Sequence, residues 1–346
     1  MPVVFVGHGS PMNVIEDSPY RRAWQDLGAQ FGVRWPKPKL ILCISAHWMT
    51  EGWWMTGMAQ PKTIHDFGGF PQELFEQQYP APGAPEWAAQ TAQQLRQPNN
   101  GQPVGVDLTA WGLDHGAWGV LKPMFPAADI PVVQLSIDYH RPAAEHFALG
   151  QQLRALREQG VLILASGNTV HNLRTMNRSA ADNQAYDWAI KFDQWVAQQI
   201  TSGHLEALVD FQAQGEAVKM SHPSYDHFLP LLYAAGQQRR VSRLSFLTRG
   251  ISWHRLRCVL SFGAELSPIE SRPRNVEVRS TMKKGPHGPF SLLHVMRANG
   301  VQLHHFRDGL AHVVDVLAVQ RSHAHTACVG AVHTKLRAQA NHLVFA

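Results

Sequence analysis

The stretch that most constrains the fold is residues 40–45, in which five of the six side chains are apolar without alternation. A short, unbroken apolar run is typical of a strand buried on both faces, as in the parallel sheets of α/β proteins. Polar residues begin abruptly where this strand should end, with Ser45 and then His47. Because ligands of open α/β sheets bind at the carboxyl ends of the strands, His47 is well placed as a ligand or a base.

Two further apolar runs, residues 2–6 and residues 160–165, also end in polar turns that contain a histidine. The histidines are His8 and His171. A single histidine at a strand end is usually a structural residue whose ring nitrogens are hydrogen-bonded in the core. Three of them, at the ends of three strands, instead favour one metal-centred pocket.

Strand and helix patterns alternate over residues 1–236, which predicts an α/β fold. We expect a single domain around a mixed, largely parallel sheet flanked by helices, with the metal pocket at the carboxyl ends of its strands. Residues 142–159 and 182–200 predict helices. The Trp- and Met-rich residues 48–58 predict a second strand or an edge hairpin, whose side chains either line the pocket or pack in the core.

The pocket has further candidate residues outside these three strands. Residues 61–83 form a long predicted loop containing His65 and Asp66, and loops of this length usually bind or cover a ligand. His115 follows a turn, and His227 precedes an apolar helix.

A histidine-rich pocket favours transition metals. Imidazole suits zinc, iron, copper or nickel better than magnesium or calcium. Because no group of cysteines accompanies these histidines, a structural zinc site of the cysteine type is not expected. Open iron(II) oxygenase sites often have two histidines and one carboxylate, so Asp226, beside His227, is an alternative third ligand. The residues alone leave both hydrolysis and oxygen chemistry open.

The composition bounds the class of protein. A hydrophobic share of 45% and a charged share of 16% are typical of an ordinary globular chain. No apolar run approaches the ~20 residues of a membrane-spanning helix, and no secretion signal precedes the first strand. The cysteines, Cys43, Cys258 and Cys328, are too scattered for a disulfide framework. These features predict a cytoplasmic protein without a membrane partner.

The charge divides the chain in two. Residues 1–236 contain 15 Lys and Arg against 21 Asp and Glu, a net charge of −6, whereas residues 237–346 contain 16 against 5, a net charge of +11. The basic part contains ten histidines, from His254 onward. It lacks interleaved aromatic residues and any recognisable nucleic-acid motif, so a nucleic-acid partner is not expected.

Six motifs occur in order over residues 1–236: GHGSPM (7–12), SAHW (45–48), HDFGGFP (65–71), DHG (114–116), GNTVHN (167–172) and HFLPLLY (227–233). Together, and in register, they resemble the 4,5-DOPA extradiol dioxygenase family, the bacterial and plant branch of the class III extradiol ring-cleavage dioxygenases.

The resemblance implies one divalent non-haem metal held by His8, His47 and His227, with Fe(II) expected for catalysis and Zn(II) able to occupy the site. In this branch a histidine stands where protocatechuate-type relatives have a glutamate, so Asp226 is not needed as a ligand. His171 matches a residue that is a fourth ligand in zinc-bound members or the acid/base in relatives.

The same resemblance assigns the remaining pocket residues. His115 matches a second pocket histidine that contacts substrate or oxygen, and we group it with His171 as catalytic. His65 and Asp66 belong to the lid motif and are expected to bind substrate.

The implied function is extradiol opening of the aromatic ring of a DOPA-like catechol with O₂. The catechol must lose protons to chelate the metal, and a histidine with a pKa near neutrality is suited to accept one. The alternatives are a metal-dependent hydrolase that uses a metal-bound water and a non-catalytic metal-binding protein on the same fold. The expected partners are a small-molecule catechol and O₂, and the sequence sets no oligomeric state.

After Tyr233 the resemblance decays. Residues 1–236 form the predicted catalytic domain, residues 237–265 an altered version of the family's C-terminal segment, and residues 266–346 a basic, His-rich extension. We interpret the extension as disordered or non-native, and favour a frame change near residues 238–245 that alters the family ending and adds a non-native extension. A genuine added domain and a nucleic-acid-binding appendage are the alternatives.

Overall fold

The structure is a computed structural model, and it describes residues 1–175 and 185–238 together with the strands at residues 244–252, 255–262, 277–283, 291–298 and 301–306. The chain divides into two compact units, residues 1–268 and residues 269–346.

The first unit contains ten described strands, eight of them no longer than seven residues and several of only two or three. In chain order they are β1 (Val3–Gly7), β2 (Leu40–Ser45), β3 (Met49–Thr50), β4 (Trp54–Thr56), β5 (Gly105–Asp107), β6 (Val132–Gln134), β7 (Ile137–Asp138), β8 (Val161–Gly167), β9 (Leu244–Ser252) and β10 (Arg255–Phe262).

The described helices of this unit lie between the strands along the chain. They are α1 (Pro19–Ala29), α2 (Gln72–Phe75), α3 (Pro85–Gln94), α4 (His115–Met124), α5 (Ala143–Gln152), α6 (Asp187–Thr201), α7 (Glu216–Ser221) and α8 (Leu229–Ala235). The helix predicted at residues 142–159 is α5 followed by a 3₁₀ segment, Leu153–Gln159. The helix predicted at residues 182–200 is α6, and the predicted start at residue 182 lies outside the described residues.

The central sheet has six strands in the order β6-β2-β8-β1-β10-β9. The first four are mutually parallel, whereas β10 pairs antiparallel with β1 and β9 antiparallel with β10. This arrangement confirms the predicted mixed, largely parallel sheet flanked by helices. Every residue of β1, β2 and β8 is buried, as their unbroken apolar runs require.

Helices cover both faces of the sheet. Alternate residues of β2 enter two different hydrophobic clusters, with Leu42 in one and Cys43 in the other, because successive strand side chains point to opposite faces. The first cluster contains apolar residues of α3, α5, α6 and α8, and the second contains those of α1 and α4.

The hairpin predicted as one form of residues 48–58 is wrong. The segment contains two separate short strands, β3, which pairs in parallel with β7, and β4, which pairs in parallel with β5. Side chains from distant residues take the backbone hydrogen bonds of this segment. The Asp138 carboxylate accepts a hydrogen bond from the Gly52 N–H at 3.0 Å, and the Ser136 hydroxyl accepts one from the Trp54 N–H at 2.8 Å. Such distant partners leave no local sequence pattern.

The second unit contains three described strands, β11 (Glu277–Lys283), β12 (Ser291–Ala298) and β13 (Val301–Phe306). They form an antiparallel sheet in the order β11-β12-β13.

The parallel strands β2, β8 and β1 end at one edge of the sheet, and this edge carries the candidate histidines. His8 directly follows β1, His47 lies two residues beyond β2, and His171 lies four residues beyond β8. None of the helices in the described part of the chain has the length and apolar content needed to span a bilayer.

Candidate metal centre

Five histidines predicted from the sequence meet at the edge of the central sheet. The ring centroids of His8, His47 and His227 lie 4.9–5.1 Å from one another. His115 lies 4.0 Å from His47, and His171 lies 3.5 Å from His227. The structure therefore brings together residues that are up to 219 positions apart in the sequence.

The tautomer of His8 follows from its neighbour Ser166. The Ser166 hydroxyl donates to the Gly116 carbonyl at 2.5 Å, so at 3.0 Å it accepts from the Nδ1–H of His8. The Nε2 atom of His8 is then left with a lone pair. Burial is the main reason why the pKa of His8 lies well below its usual value, so the ring is neutral, as a metal ligand must be.

His47 has a complementary arrangement. Its Nδ1 donates to the Asp66 carboxylate at 3.1 Å, and although burial alone would lower the pKa of His47, the hydrogen bond to Asp66 raises it. In the neutral ring that a metal ligand must be, Nε2 therefore has a lone pair. The two Nε2 atoms of His8 and His47 face each other at 3.1 Å. Two lone pairs at this distance repel each other unless a proton or a metal cation lies between them, and neighbouring ligands on a tetrahedral ion with Zn–N bonds of about 2.1 Å are about 3.4 Å apart. The donor set and its spacing therefore fit a divalent metal.

His227 supplies the third nitrogen. Its Nδ1 donates to the Asp226 carboxylate, and the ligand atoms of His8, His47 and His227 all lie within 4.8 Å of one another. Ligating histidines usually donate their second ring N–H to a carboxylate or another oxygen, which fixes ring orientation. All three histidines of this group have such a partner.

The end of β8 positions the segment that contains His227. The Asn168 N–H donates to the His227 carbonyl at 2.7 Å. A Cβ atom on Gly167 would lie 2.2 Å from the same carbonyl oxygen. Glycine is therefore required here by close backbone approach rather than by backbone conformation.

His115 begins α4, whose N-cap is Asp114. Its backbone N–H and its ring Nδ1 both donate to Oδ1 of Asp66, at 2.9 and 3.0 Å. The opposite oxygen of Asp66 accepts from His47, so both carboxylate oxygens are engaged. Burial alone would raise the pKa of Asp66, but the hydrogen bonds from His115 and His47 outweigh it and hold that pKa below its usual range.

His171 packs against a ligand candidate. Its ring is stacked on His227 with an interplanar angle of 10°, and its backbone N–H donates to the Ser221 carbonyl at 2.8 Å. Burial lowers the pKa of His171 to about 4, partly opposed by the charge of Asp226.

His65 lies in the loop and not among these rings. Its Nε2 bonds to the Gln77 carbonyl at 2.9 Å, and its ring packs 5.4 Å from Trp118 and 5.7 Å from Phe67. Phe67 in turn lies 5.5 Å from His115, edge to face. The loop therefore reaches the histidine cluster through Asp66 and Phe67.

Two other groups in the described residues have potential ligand atoms within 4.8 Å of one another: His47 with Asp66 and His115, and His171 with Asp226 and His227. Each shares a histidine with the first group. In each, the carboxylate already accepts from a ring nitrogen.

Sequence reasoning missed the polar residues that support the histidines. The Asp114 carboxylate accepts from the Ser45 hydroxyl at 2.6 Å, from Gln134 Nε2 at 2.9 Å and from Trp111 Nε1 at 3.2 Å. Ser45, Gln134 and the His8 partner Ser166 are all fully buried. Each is a polar residue in or at the end of an otherwise apolar strand, and this signal could have identified them.

Comparison with known proteins agrees with this geometry. Residues 2–251 match the model of a family described as the catalytic LigB subunit of aromatic ring-opening dioxygenase. A 4,5-DOPA dioxygenase extradiol from Escherichia coli K12 is 50% identical over 239 residues, which cover 68% of this chain and 84% of that protein. A protein of the same name from Beta vulgaris is 37% identical over 236 residues, 67% of this chain and 85% of that one.

A solved structure is also similar to this chain. The crystal structure of an uncharacterized protein from Escherichia coli K12 is 40% identical and superimposes with a TM-score of 0.63, covering 76% of this chain and 100% of the other. The family model covers more than half of the chain, and the motif resemblance found in the sequence is confirmed. The chain belongs to the LigB family of aromatic ring-opening dioxygenases.

Proposed function

We propose that this protein opens the ring of a DOPA-like catechol beside the diol and incorporates both atoms of O₂. The observation that carries the proposal is the pair of Nε2 atoms of His8 and His47, which face each other at 3.1 Å with His227 beside them. The names of the relatives from Escherichia coli and Beta vulgaris support a DOPA-like substrate.

We propose that His8, His47 and His227 hold one divalent non-haem metal, with His171 as a fourth ligand when that metal is zinc. Iron(II), which we propose for catalysis, supplies the reversible electron step that O₂ needs, whereas zinc(II) has no accessible redox step. Imidazole ligands suit both ions.

Two further histidines act on the substrate. His115 is held at Nδ1 by Asp66, so its Nε2 is available to the catechol or to oxygen. His171 is stacked beside the ligand His227 and is the proposed acid/base: it takes a proton from a catechol hydroxyl and returns one during ring opening.

The loop at residues 61–83 covers the substrate. His65 and Asp66 belong to this cover, and Phe67 lies edge to face with His115, which gives the pocket an aromatic wall on that side. An aromatic cover excludes water from the reacting ring.

The test is oxygen consumption by protein reconstituted with iron(II) under anaerobic conditions and then given L-DOPA. Oxygen uptake that matches the formation of a yellow product supports the proposal. Zinc-loaded protein is the matched control and is expected to be inactive. Absence of uptake, with iron shown to be bound, contradicts it, and ester or amide cleavage without oxygen would instead identify a hydrolase.

We propose that the catalytic region is residues 1–236, followed by an altered C-terminal segment of the family at 237–265 and an extension at 266–346. The change of net charge from −6 to +11 between residues 1–236 and 237–346 supports this division. The buried free thiol of Cys43 is consistent with the reducing cytoplasm that we propose as the protein's location.

A further inference from the structure

One loop carboxylate contacts two different pocket histidines. Oδ2 of Asp66 accepts from Nδ1 of His47 at 3.1 Å, and Oδ1 accepts from Nδ1 of His115 at 3.0 Å and from its backbone N–H at 2.9 Å. The carboxylate is partly buried, with 17% of its side chain exposed. Both of its oxygens are therefore used inside the protein.

The backbone just before Asp66 is firmly anchored. The Ile64 N–H donates to the Leu113 carbonyl at 2.7 Å, and the Ile64 carbonyl accepts from Trp118 Nε1 at 2.8 Å. After the packed Phe67 the chain is open, since a Cβ atom on Gly68 would meet no atom within 4 Å. Asp66 thus lies where the fixed base of the loop meets its open tip.

We infer that Asp66 is a positioning residue that fixes the Nδ1–H tautomer of both His47 and His115. A carboxylate only accepts hydrogen bonds, so it can hold two N–H donors at once, one on each oxygen. Both rings must then present the lone pair of Nε2 to the pocket. Metal retention through His47 and substrate chemistry through His115 therefore depend on the same side chain, and both of these roles rest on the proposed function.

The test compares Asp66→Asn with Asp26→Asn, the same change at an exposed residue of α1, outside the loop. An asparagine has one acceptor and one donor at its end, so one of the two N–H donors loses its partner. We expect the zinc dissociation constant of Asp66→Asn to rise by about 10- to 100-fold, the usual effect of removing such a partner. Asp26→Asn should leave zinc affinity, folding and turnover unchanged.

The tautomers can be measured without any activity assay. In the unmutated, zinc-loaded protein, imidazole ¹⁵N NMR should show protonated Nδ1 at His47 and His115, with the His115 signals assigned by their loss in His115→Ala. In Asp66→Asn at least one of these two patterns should change. Unprotonated Nδ1 at either histidine of the unmutated protein overturns the inference, whatever the enzyme's substrate proves to be.

A double-mutant cycle tests the effect on turnover. If Asp66 acts through His115, Asp66→Asn lowers kcat more than it raises KM, and its effect on kcat is smaller in a His115→Ala background. Equal losses in both backgrounds overturn the coupling to His115. Thermal unfolding of the metal-free variants serves as the control for folding, and unchanged zinc affinity together with unchanged turnover in a folded Asp66→Asn overturns the whole inference.

Discussion

His47 and His171 both face the pocket, but only His47 has a ring nitrogen directed at another converging nitrogen, the Nε2 of His8 at 3.1 Å. Replacing His47 with alanine removes one of three proposed ligands. We therefore expect His47→Ala to purify with far less metal than one ion per chain, measured by elemental analysis after dialysis. Stoichiometric metal in this variant would show that the ligand set is wrong.

His171→Ala should behave differently. Because His8, His47 and His227 remain, we expect the variant to retain iron while its turnover of L-DOPA falls by about 10²-fold or more, the scale of general acid–base catalysis. Stopped-flow or oxygen-electrode rates at saturating substrate measure this loss. Unchanged turnover would remove His171 from the mechanism.

A buried histidine outside the pocket predicts how stability depends on pH. His146 is fully buried, with Nδ1 at 2.8 Å from the Tyr233 hydroxyl and Nε2 at 3.2 Å from the Arg141 carbonyl. Burial lowers its pKa to about 4, although the Arg141 carbonyl opposes this shift. Between pH 4 and 6.5 the unfolded state binds this proton and the folded state does not, so stability falls as the pH falls through this window.

We expect His146 to account for about 3 kcal/mol of this acid destabilisation in the metal-free protein. Urea unfolding at pH 7 and pH 4.5 should therefore show a smaller pH effect for His146→Gln than for the unmutated chain. Equal pH effects in the two proteins would contradict the assignment.

The identity of the site histidines could be predicted from the sequence because each follows a polar turn at the end of an apolar run or opens an apolar helix. Their roles could not. Whether Asp226 is a metal ligand or a hydrogen-bond partner of His227 depends on where its carboxylate oxygens lie. In the structure, Oδ2 of Asp226 accepts a hydrogen bond from Nδ1 of His227. Likewise, the contact of Asp66 with His47 and His115 joins loop residues that no local pattern connects.

At the level of secondary-structure elements, the contact between the end of β8 and the His227 segment leaves no space for an added side chain. A methyl group at Gly167 would overlap the His227 carbonyl, so Gly167→Ala should destabilise the protein by about 1–3 kcal/mol, as overpacking does. It should also weaken metal binding, because the displaced carbonyl belongs to a ligand. Chemical unfolding and zinc titration measure the two effects.

Gly68→Ala is the matched control. Position 68 has open space around it and no left-handed backbone, so stability should change by less than about 0.5 kcal/mol. If the two glycine variants lost the same amount of stability and of zinc affinity, the close approach at the end of β8 would not be what positions His227.

Strands with unbroken apolar runs were predictable, and strands defined by distant partners were not. β1, β2 and β8 are buried throughout, and their burial is encoded in their own residues. In contrast, β3 and β4 owe their separate pairings to β7 and β5. Such partners are known only once the chain has folded.

For the molecule as a whole, the sheet order shows that β10 and β9 complete the central sheet beside β1. β10 pairs with β1 from residue Val3 opposite Phe262 to residue Val6 opposite Val259, and β1 leads directly to His8. We expect a chain cut after residue 268 to keep the metal content and turnover of the full chain, since the unit of residues 1–268 contains every proposed site residue.

A chain cut after residue 238 should instead aggregate and bind little metal. Without β10, β1 becomes an exposed edge strand with unpaired backbone groups. Size-exclusion chromatography and metal analysis of the two truncations decide the matter, and equal behaviour would show that β10 is dispensable.

The position of β1 also bears on how the protein is made. β1 leaves the ribosome before its two neighbours, yet it lies inside the sheet, between β8 and β10, which are synthesised more than 150 residues later. The nascent chain therefore cannot assemble the three-histidine group until His227 and the strands around it have emerged. We therefore expect metal to be captured only after His227 has emerged, by a pocket that is already assembled and not by the early nascent chain.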